Sequence, residues 1–141
     1  MADETRPGIP LPFVRHMLVC EHAEPAPHNA KRANVFGLFS NIVLRGESAR
    51  FPIGMGFTVY VVLTECRGDG TVRILVSDAE SGEICYRGTP HRAKLSSNPL
   101  DVHAAIFRVS ECMLTHPGLY WIEFEFEGVV LRQEPIHVVV R

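Results

Sequence analysis

The last quarter of the chain alternates between apolar and polar positions with the period of a β-strand. One side of the segment 119–127 carries the residues expected to be buried: Tyr120, Ile122, Phe124 and Phe126. The opposite side carries Leu119, Trp121, Glu123, Glu125 and Glu127. Glu127 and Gly128 then provide a two-residue turn, and the apolar run from 129 onwards predicts a returning strand. The pattern therefore predicts an antiparallel hairpin with one aromatic, buried face.

Similar short runs of β-branched and aromatic residues, separated by turn signals, fill the rest of the chain. Strands are predicted at 13–20, 34–44, 57–66, 71–77, 84–87, 102–109, 119–127 and 129–140. No segment has the period of an amphipathic helix. The spacing predicts an all-β protein, an antiparallel β-sandwich of the immunoglobulin-like kind with eight or nine short strands. At 141 residues we expect one sandwich domain at 13–141, preceded by an N-terminal arm at 1–12.

Prolines and glycines add local expectations. The stretch 21–34 contains Pro25 and Pro27 and is predicted to be a polar loop. Gly37 lies inside a predicted strand and indicates a bulge or a close approach by another backbone. Pro135 cannot donate to a ladder, so we expect it at an edge, a bulge or a strand start. The sequence "PGLY" at 117–120 is typical of a tyrosine corner, with Tyr120 bonding back to nearby backbone.

Composition and charge limit the partners. The chain is 46% hydrophobic and 21% charged with a net charge of −2, and its arginines are scattered, so we expect no nucleic-acid binding. The N-terminus lacks a signal-peptide core and no segment is apolar enough to span a membrane, which predicts a cytoplasmic protein with no membrane contact. The four cysteines form no CxxC pair and are expected to be buried free thiols.

Several segments together resemble a known group of proteins: "LVCEH", "NVFGLFSNIVLRGESARFP", "VVLTECRGDG", "EICYRG", "NPLDVHAAIFRVSECMLTHPGLY" and "EFEGVVLRQEPIHVVV". Over residues 13–140 the chain is similar to an uncharacterised family of small bacterial β-sandwich proteins. The resemblance implies a β-sandwich. It implies no catalytic, cofactor-binding or metal-binding residue.

Candidate chemistry is sparse. His16, Cys20 and His22 share one strand face by their spacing, and His28 follows in the predicted loop, so an imidazole–thiolate zinc site is one interpretation. Packed or solvated side chains are the simpler one. Glu123 and Glu125 lie on one strand face, where paired carboxylates can act as acid and base, but the alternation marks them as the solvated side of the sheet.

The sequence is compatible with three alternative functions. The preferred prediction is a non-catalytic intracellular interaction module that needs no cofactor and binds a protein or a second copy of the chain. We expect Trp121, or an exposed apolar edge near 129–140, to form the contact. The alternatives are a small-ligand or carbohydrate-binding domain, and a metal-dependent enzyme that uses Cys20 and His22.

Overall fold

The computed structural model describes residues 10–46 and 50–141, and residues 1–9 of the predicted N-terminal arm lie outside this range. The described chain forms ten strands: β1 (Phe13–Ala26), β2 (Asn29–Leu38), β3 (Asn41–Leu44), β4 (Ile53–Thr64), β5 (Gly70–Asp78), β6 (Ile84–Arg87), β7 (His91–Ala93), β8 (His103–Leu114), β9 (Gly118–Phe126) and β10 (Val129–Val140). No helix long and apolar enough to cross a membrane occurs in this described part of the chain.

The strands form two packed sheets. Sheet A has the order β2-β1-β4-β8, and sheet B has the order β3-β10-β9-β5-β6, with β7 also pairing with β5. All pairs are antiparallel except β3 with β10, which is parallel. The predicted all-β sandwich of two sheets is confirmed, with ten strands rather than eight or nine.

The core lies between the inner faces of the two sheets. The predicted aromatic face of β9 is its centre: Tyr120, Ile122, Phe124 and Phe126 are all buried. The Phe124 ring contacts the Phe107 ring of sheet A edge-on, with centroids 5.8 Å apart. Each fully buried large apolar side chain stabilises the fold by about 1.5–3 kcal/mol relative to leaving it in water.

The predicted loop at 21–34 is wrong. Strand β1 continues to Ala26, residues 27 and 28 form the turn, and β2 begins at Asn29, so the segment is a long hairpin. Pro25 fits because it stands opposite Ala33 beside a register shift, at a place where the ladder does not need its missing N–H.

The predicted strand at 34–44 is in fact two strands in different sheets. Gly37 has a positive φ of 68°, but the β1–β2 register does not shift there, so the predicted bulge is not found at this glycine. The Phe39 N–H then donates to the Val19 carbonyl in sheet A, whereas the Ser40 carbonyl accepts from the His137 N–H in sheet B. Residues 39 and 40 therefore carry the chain from one sheet to the other.

This crossing changes the position of β10. Because β3 pairs with residues 137–140, β10 lies inside sheet B, and the expected exposed edge near 129–140 is wrong for that stretch. Pro135 precedes the paired stretch and stands opposite Trp121. The predicted turn is confirmed: Glu127 and Gly128 have φ angles of 51° and 79°, as a two-residue turn of type I′ requires.

The predicted tyrosine corner is also present. The Tyr120 hydroxyl donates to the His116 carbonyl at 2.6 Å and accepts from the His116 N–H at 3.2 Å. Because Tyr120 is only 1% exposed, this pair of hydrogen bonds fixes the entry of the chain into β9.

Candidate functional site

The outer surface of sheet A is apolar although it lies on the outside of the sandwich. We define outer face A by the outward-pointing residues of its strands: Phe36 and Leu38 of β2; His16, Leu18, Cys20 and His22 of β1; Thr58, Tyr60 and Val62 of β4; and Ala104, Ile106 and Arg108 of β8. Cross-strand pairs align these side chains in rows. One row, Leu38–Cys20–Thr58–Arg108, runs across all four strands, and the other rows span two or three. Adjacent residues such as Val19 and Val59 point the other way, into the core.

Exposure within outer face A is uneven. Cys20 is 0% exposed and Thr58 3%, because larger neighbours cover them. Phe36 and Leu38 at one margin remain 50% and 62% exposed. Buried residues at the centre of the face, with large exposed apolar side chains beside them, are the composition expected of a contact surface.

His22 of outer face A contacts an aromatic ring and two charged side chains. The His22 ring stacks on Phe36 with centroids 6.0 Å apart. Its Nε2 lies 2.9 Å from the Glu24 carboxylate, and its Nδ1 lies 3.5 Å from the Arg108 guanidinium. These contacts hold the imidazole flat against the phenyl ring and keep its two nitrogens engaged with protein groups.

This geometry does not support a metal site at Cys20 and His22. His16, Cys20 and His22 share one face as predicted, but His16 lies four positions before Cys20, about 13 Å along an extended strand. The buried Cys20 thiol donates to the Thr58 carbonyl at 3.6 Å, and burial raises the pKa of Cys20, partly offset by a hydrogen bond from the His22 backbone. His28 is exposed at the tip of the β1–β2 hairpin.

A cleft opens at the end of outer face A opposite Phe36 and Leu38. It has a volume of about 540 Å³ and is lined by Tyr60, Val62 and the segment 100–104. Leu100 on its rim is 86% exposed. The Ser96 N–H donates to His103 Nε2 at 3.0 Å and so fixes the start of β8. The cleft extends the apolar surface and adds the Asp101 carboxylate to its margin.

A second cluster of titratable groups lies at one end of the sandwich, where Asp78, Glu80 and His116 come close enough to share an ion. However, the His116 Nδ1 donates to the Pro117 carbonyl at 2.6 Å and its Nε2 donates to the Asp78 carboxylate at 2.5 Å. Both ring nitrogens therefore carry protons, and neither offers a lone pair to a metal. The arrangement is an ion pair that joins the β5–β6 turn to the β8–β9 turn.

Charge and hydrogen bonding in this ion pair shift both pKa values. The Pro117 carbonyl and then the Asp78 carboxylate raise the pKa of His116. Burial opposes ionisation of Asp78, but hydrogen bonds from the Glu80 N–H and the His116 ring outweigh it, and the pKa of Asp78 is lowered.

The outer face of sheet B carries the other predicted residues. Trp121 is half-buried, between Ser77 of β5 and Pro135 of β10. The Arg73 guanidinium donates to Glu125 at 2.7 Å. The Gln133 amide donates to Glu123, also at 2.7 Å. Each carboxylate thus has its own partner, and the two do not face each other across a reaction site.

Sequence reasoning missed outer face A, although its signal was visible. Residues 13–20 and 57–66 are apolar on both faces, a pattern that is typical of a strand buried on both sides. A sheet in a two-layer sandwich buries only one face, so the second apolar face of β1 and β4 is turned outward.

Comparison with solved structures finds similar folds at low identity. A β-glucosidase from Listeria innocua in complex with glucose is 11% identical, with a TM-score of 0.48 over 71% of this chain. The chain spans only 15% of the length of that β-glucosidase. An immunoglobulin-like protein from Pseudomonas aeruginosa is 12% identical, with a TM-score of 0.39 over 87% of this chain and 96% of its own. No curated protein matches the chain.

One family model matches almost the whole sandwich. It covers residues 15–139, from the start of β1 to the end of β10, and so includes every strand that contributes to outer face A. The predicted resemblance to an uncharacterised family of small β-sandwich proteins is thereby confirmed. The chain belongs to DUF6941, a family of unknown function.

Proposed function

We propose that this protein is a non-catalytic interaction module that binds a protein through outer face A. The observation that carries the proposal is the group of apolar side chains on the outside of sheet A, with Phe36 and Leu38 at least half exposed at its margin. Single exposed apolar residues are common on soluble proteins, whereas a contiguous group marks a contact surface.

The chemistry of outer face A favours an apolar partner surface. The charged groups beside the His22 ring, the Arg108 guanidinium and the Glu24 carboxylate, already lie within 3.5 Å of its two nitrogens. Burying the face against another protein therefore desolvates few charges, and the favourable contribution comes from removing Phe36 and Leu38 from water.

We also propose that the module acts in the bacterial cytoplasm. All four cysteines are free and three of them are buried, which suits a reducing compartment.

The proposal is tested by photo-crosslinking in the host cell, which also captures transient contacts. The full chain carries p-benzoylphenylalanine in place of Phe36, and the matched control carries it in place of Leu119, an exposed residue of β9 in sheet B (39% exposed). We expect a discrete crosslinked product from position 36 and none from position 119. The product must disappear when Leu38→Asp is added, because a carboxylate there opposes burial of the face.

Equal crosslinking from both positions, or none from position 36, would contradict the proposal. Circular dichroism of each purified variant confirms that a lost product reflects a lost contact and not a lost fold.

A further inference from the structure

We infer that strand β2 is a docking edge, and that its occupant is β2 of a second copy of this chain in antiparallel register. This inference rests on the proposed function, because it names the partner of the same sheet. It also rests on an independent observation, namely the length and the covering of the strands that form the edges of the two sheets.

Sheet B ends in short strands. One of its edges is β3, with four residues, and the other is shared by β6 and β7, with four and three. Short edge strands offer too few backbone groups to pair stably with another chain. In sheet A, the edge strand β8 packs alongside β6, so the sandwich itself covers that side.

Strand β2 lacks both protections in the described part of the chain. It has ten residues and is hydrogen-bonded to β1 alone. Its other side presents a row of backbone N–H and C=O groups that an added strand satisfies. The occupant is therefore an extended segment, not a helix or a small molecule.

Pro25 shows which backbone groups of β2 point outward. Proline has no N–H, so the pair Pro25–Ala33 does not exchange ladder hydrogen bonds. Since bonded and non-bonded pairs alternate, Asn34 and Phe36 bond to β1, whereas Ala33 and Val35 direct their backbone groups away from the sheet. The available donors of the edge are thus the N–H groups of Ala33 and Val35.

A second copy of β2 matches this pattern. Antiparallel pairing centred on Asn34 places Val35 opposite Ala33 of the second copy. The outward N–H and C=O groups of one β2 strand then face those of the other and can form hydrogen bonds. The same register places the exposed Arg32 opposite Phe36 of the second copy, a cation–aromatic pair, and separates the two arginines. Gly37, with its positive φ, ends the regular stretch just beyond Phe36.

The resulting dimer has one continuous eight-stranded sheet made from two copies of sheet A. The Phe36 side chains of the two copies lie on the same outer surface, so the two apolar faces merge across the two-fold axis. The edge provides the backbone hydrogen bonds and outer face A provides the adjoining apolar area.

Matched proline substitutions test the inference. Val35→Pro removes an outward N–H and leaves the bonds to β1 intact, whereas Asn34→Pro removes a bond within the hairpin. We expect light scattering of the full chain to show twice the mass of one chain for the wild type and for Leu119→Asp. Val35→Pro should raise the dimer dissociation constant roughly tenfold or more while keeping the native circular dichroism spectrum.

Hydrogen exchange of the wild type supplies a readout that does not depend on a variant folding. The Ala33 and Val35 amides should exchange more slowly as protein concentration rises, whereas those of Asn34 and Phe36 should be protected at every concentration.

Three outcomes separate the inference from the proposed function. A wild type that is monomeric throughout, or a dimer unaffected by Val35→Pro with no concentration-dependent protection, overturns the β2 pairing. A position-36 crosslink to a protein of other mass, lost with Leu38→Asp, overturns it while the proposed function stands. A position-36 crosslink of twice the chain mass, lost with Val35→Pro, supports both.

Discussion

At the scale of single residues, Gly70 at the start of β5 shows how closely the chain packs against its own aromatic core. A Cβ atom added at Gly70 would overlap the ring of Phe126, which is only 3% exposed. That ring is held by the core on its other sides, so it cannot turn aside without displacing neighbours.

Gly70→Ala should therefore lower the free energy of unfolding by about 1–3 kcal/mol. Gly54→Ala is the matched control, since its Cβ would meet the Met113 sulfur at an ordinary 3.5 Å in an exposed part of β4. Urea titrations of both variants check this, and equal midpoints would show that the Phe126 ring is free to move.

Features of single residues could be predicted where they depend on residues close by in the sequence. The alternation of β9, the turn at Glu127 and Gly128 and the bonding of Tyr120 all follow from neighbours in sequence. The ion pair of Asp78 with His116 was not predictable, because it joins turns 38 residues apart that only the finished sandwich brings together.

At the scale of elements, that ion pair connects the β5–β6 turn to the β8–β9 turn and makes stability depend on pH. The pKa of His116 is raised, so its contribution is complete below its ordinary value of 6.5 and is lost as the pH rises through the folded-state pKa. The pKa of Asp78 is lowered, so its contribution is complete above its ordinary value of 3.8 and is lost as the pH falls through the folded-state pKa. Both contributions are complete between pH 3.8 and 6.5.

His116→Gln should therefore destabilise the protein more at pH 5.5 than at pH 9, because the glutamine never carries the charge that the wild type loses as the pH rises. The measurement is the difference in free energy of unfolding between wild type and variant at the two pH values. His137→Gln, at an exposed position, should show the same small difference at both. A His116→Gln difference that is constant or larger at pH 9 would show that the pair is not ionised as described.

Element boundaries show the limits of the sequence most clearly. Pro25 and Pro27 concealed the β1–β2 hairpin because proline is depleted in strands, yet one non-bonded position accommodates Pro25. The break at residues 39 and 40 is set by the parallel pairing of β3 with β10, which no local pattern encodes. The first half of the edge strand β2, on which the proposed dimer depends, therefore falls in the predicted loop, and its second half falls in the predicted strand at 34–44.

At the scale of the whole molecule, the four free cysteines lie in different layers of the sandwich and differ in what covers them. Cys66 and Cys112 belong to the core between the sheets, and burial raises the pKa of Cys66 and raises that of Cys112 to about 12. Cys20 is equally inaccessible but lies on outer face A, where only neighbouring side chains cover it. Cys85 of β6 is partly exposed.

Thiol labelling of the native protein should therefore proceed in three steps. Cys85 should react first, and Cys20 next, because fluctuations of side chains on the outside of sheet A suffice to expose it. Cys66 and Cys112 should react last and at one common rate, since only opening of the two sheets exposes them. Mass spectrometry of peptides after timed quenching gives the four rates.

The rate at Cys20 carries the most information. If Cys20 reacted as slowly as Cys66 in a dilute monomer, its covering side chains would be as firmly held as the core, and outer face A would not be a surface prepared for contact. Pairing through strand β2 joins two sheets edge to edge and leaves outer face A uncovered, so the Cys20 rate should stay constant as protein concentration rises. A Cys20 rate that falls while the Cys85 rate stays constant would show that a second copy covers outer face A face to face, which contradicts the edge pairing.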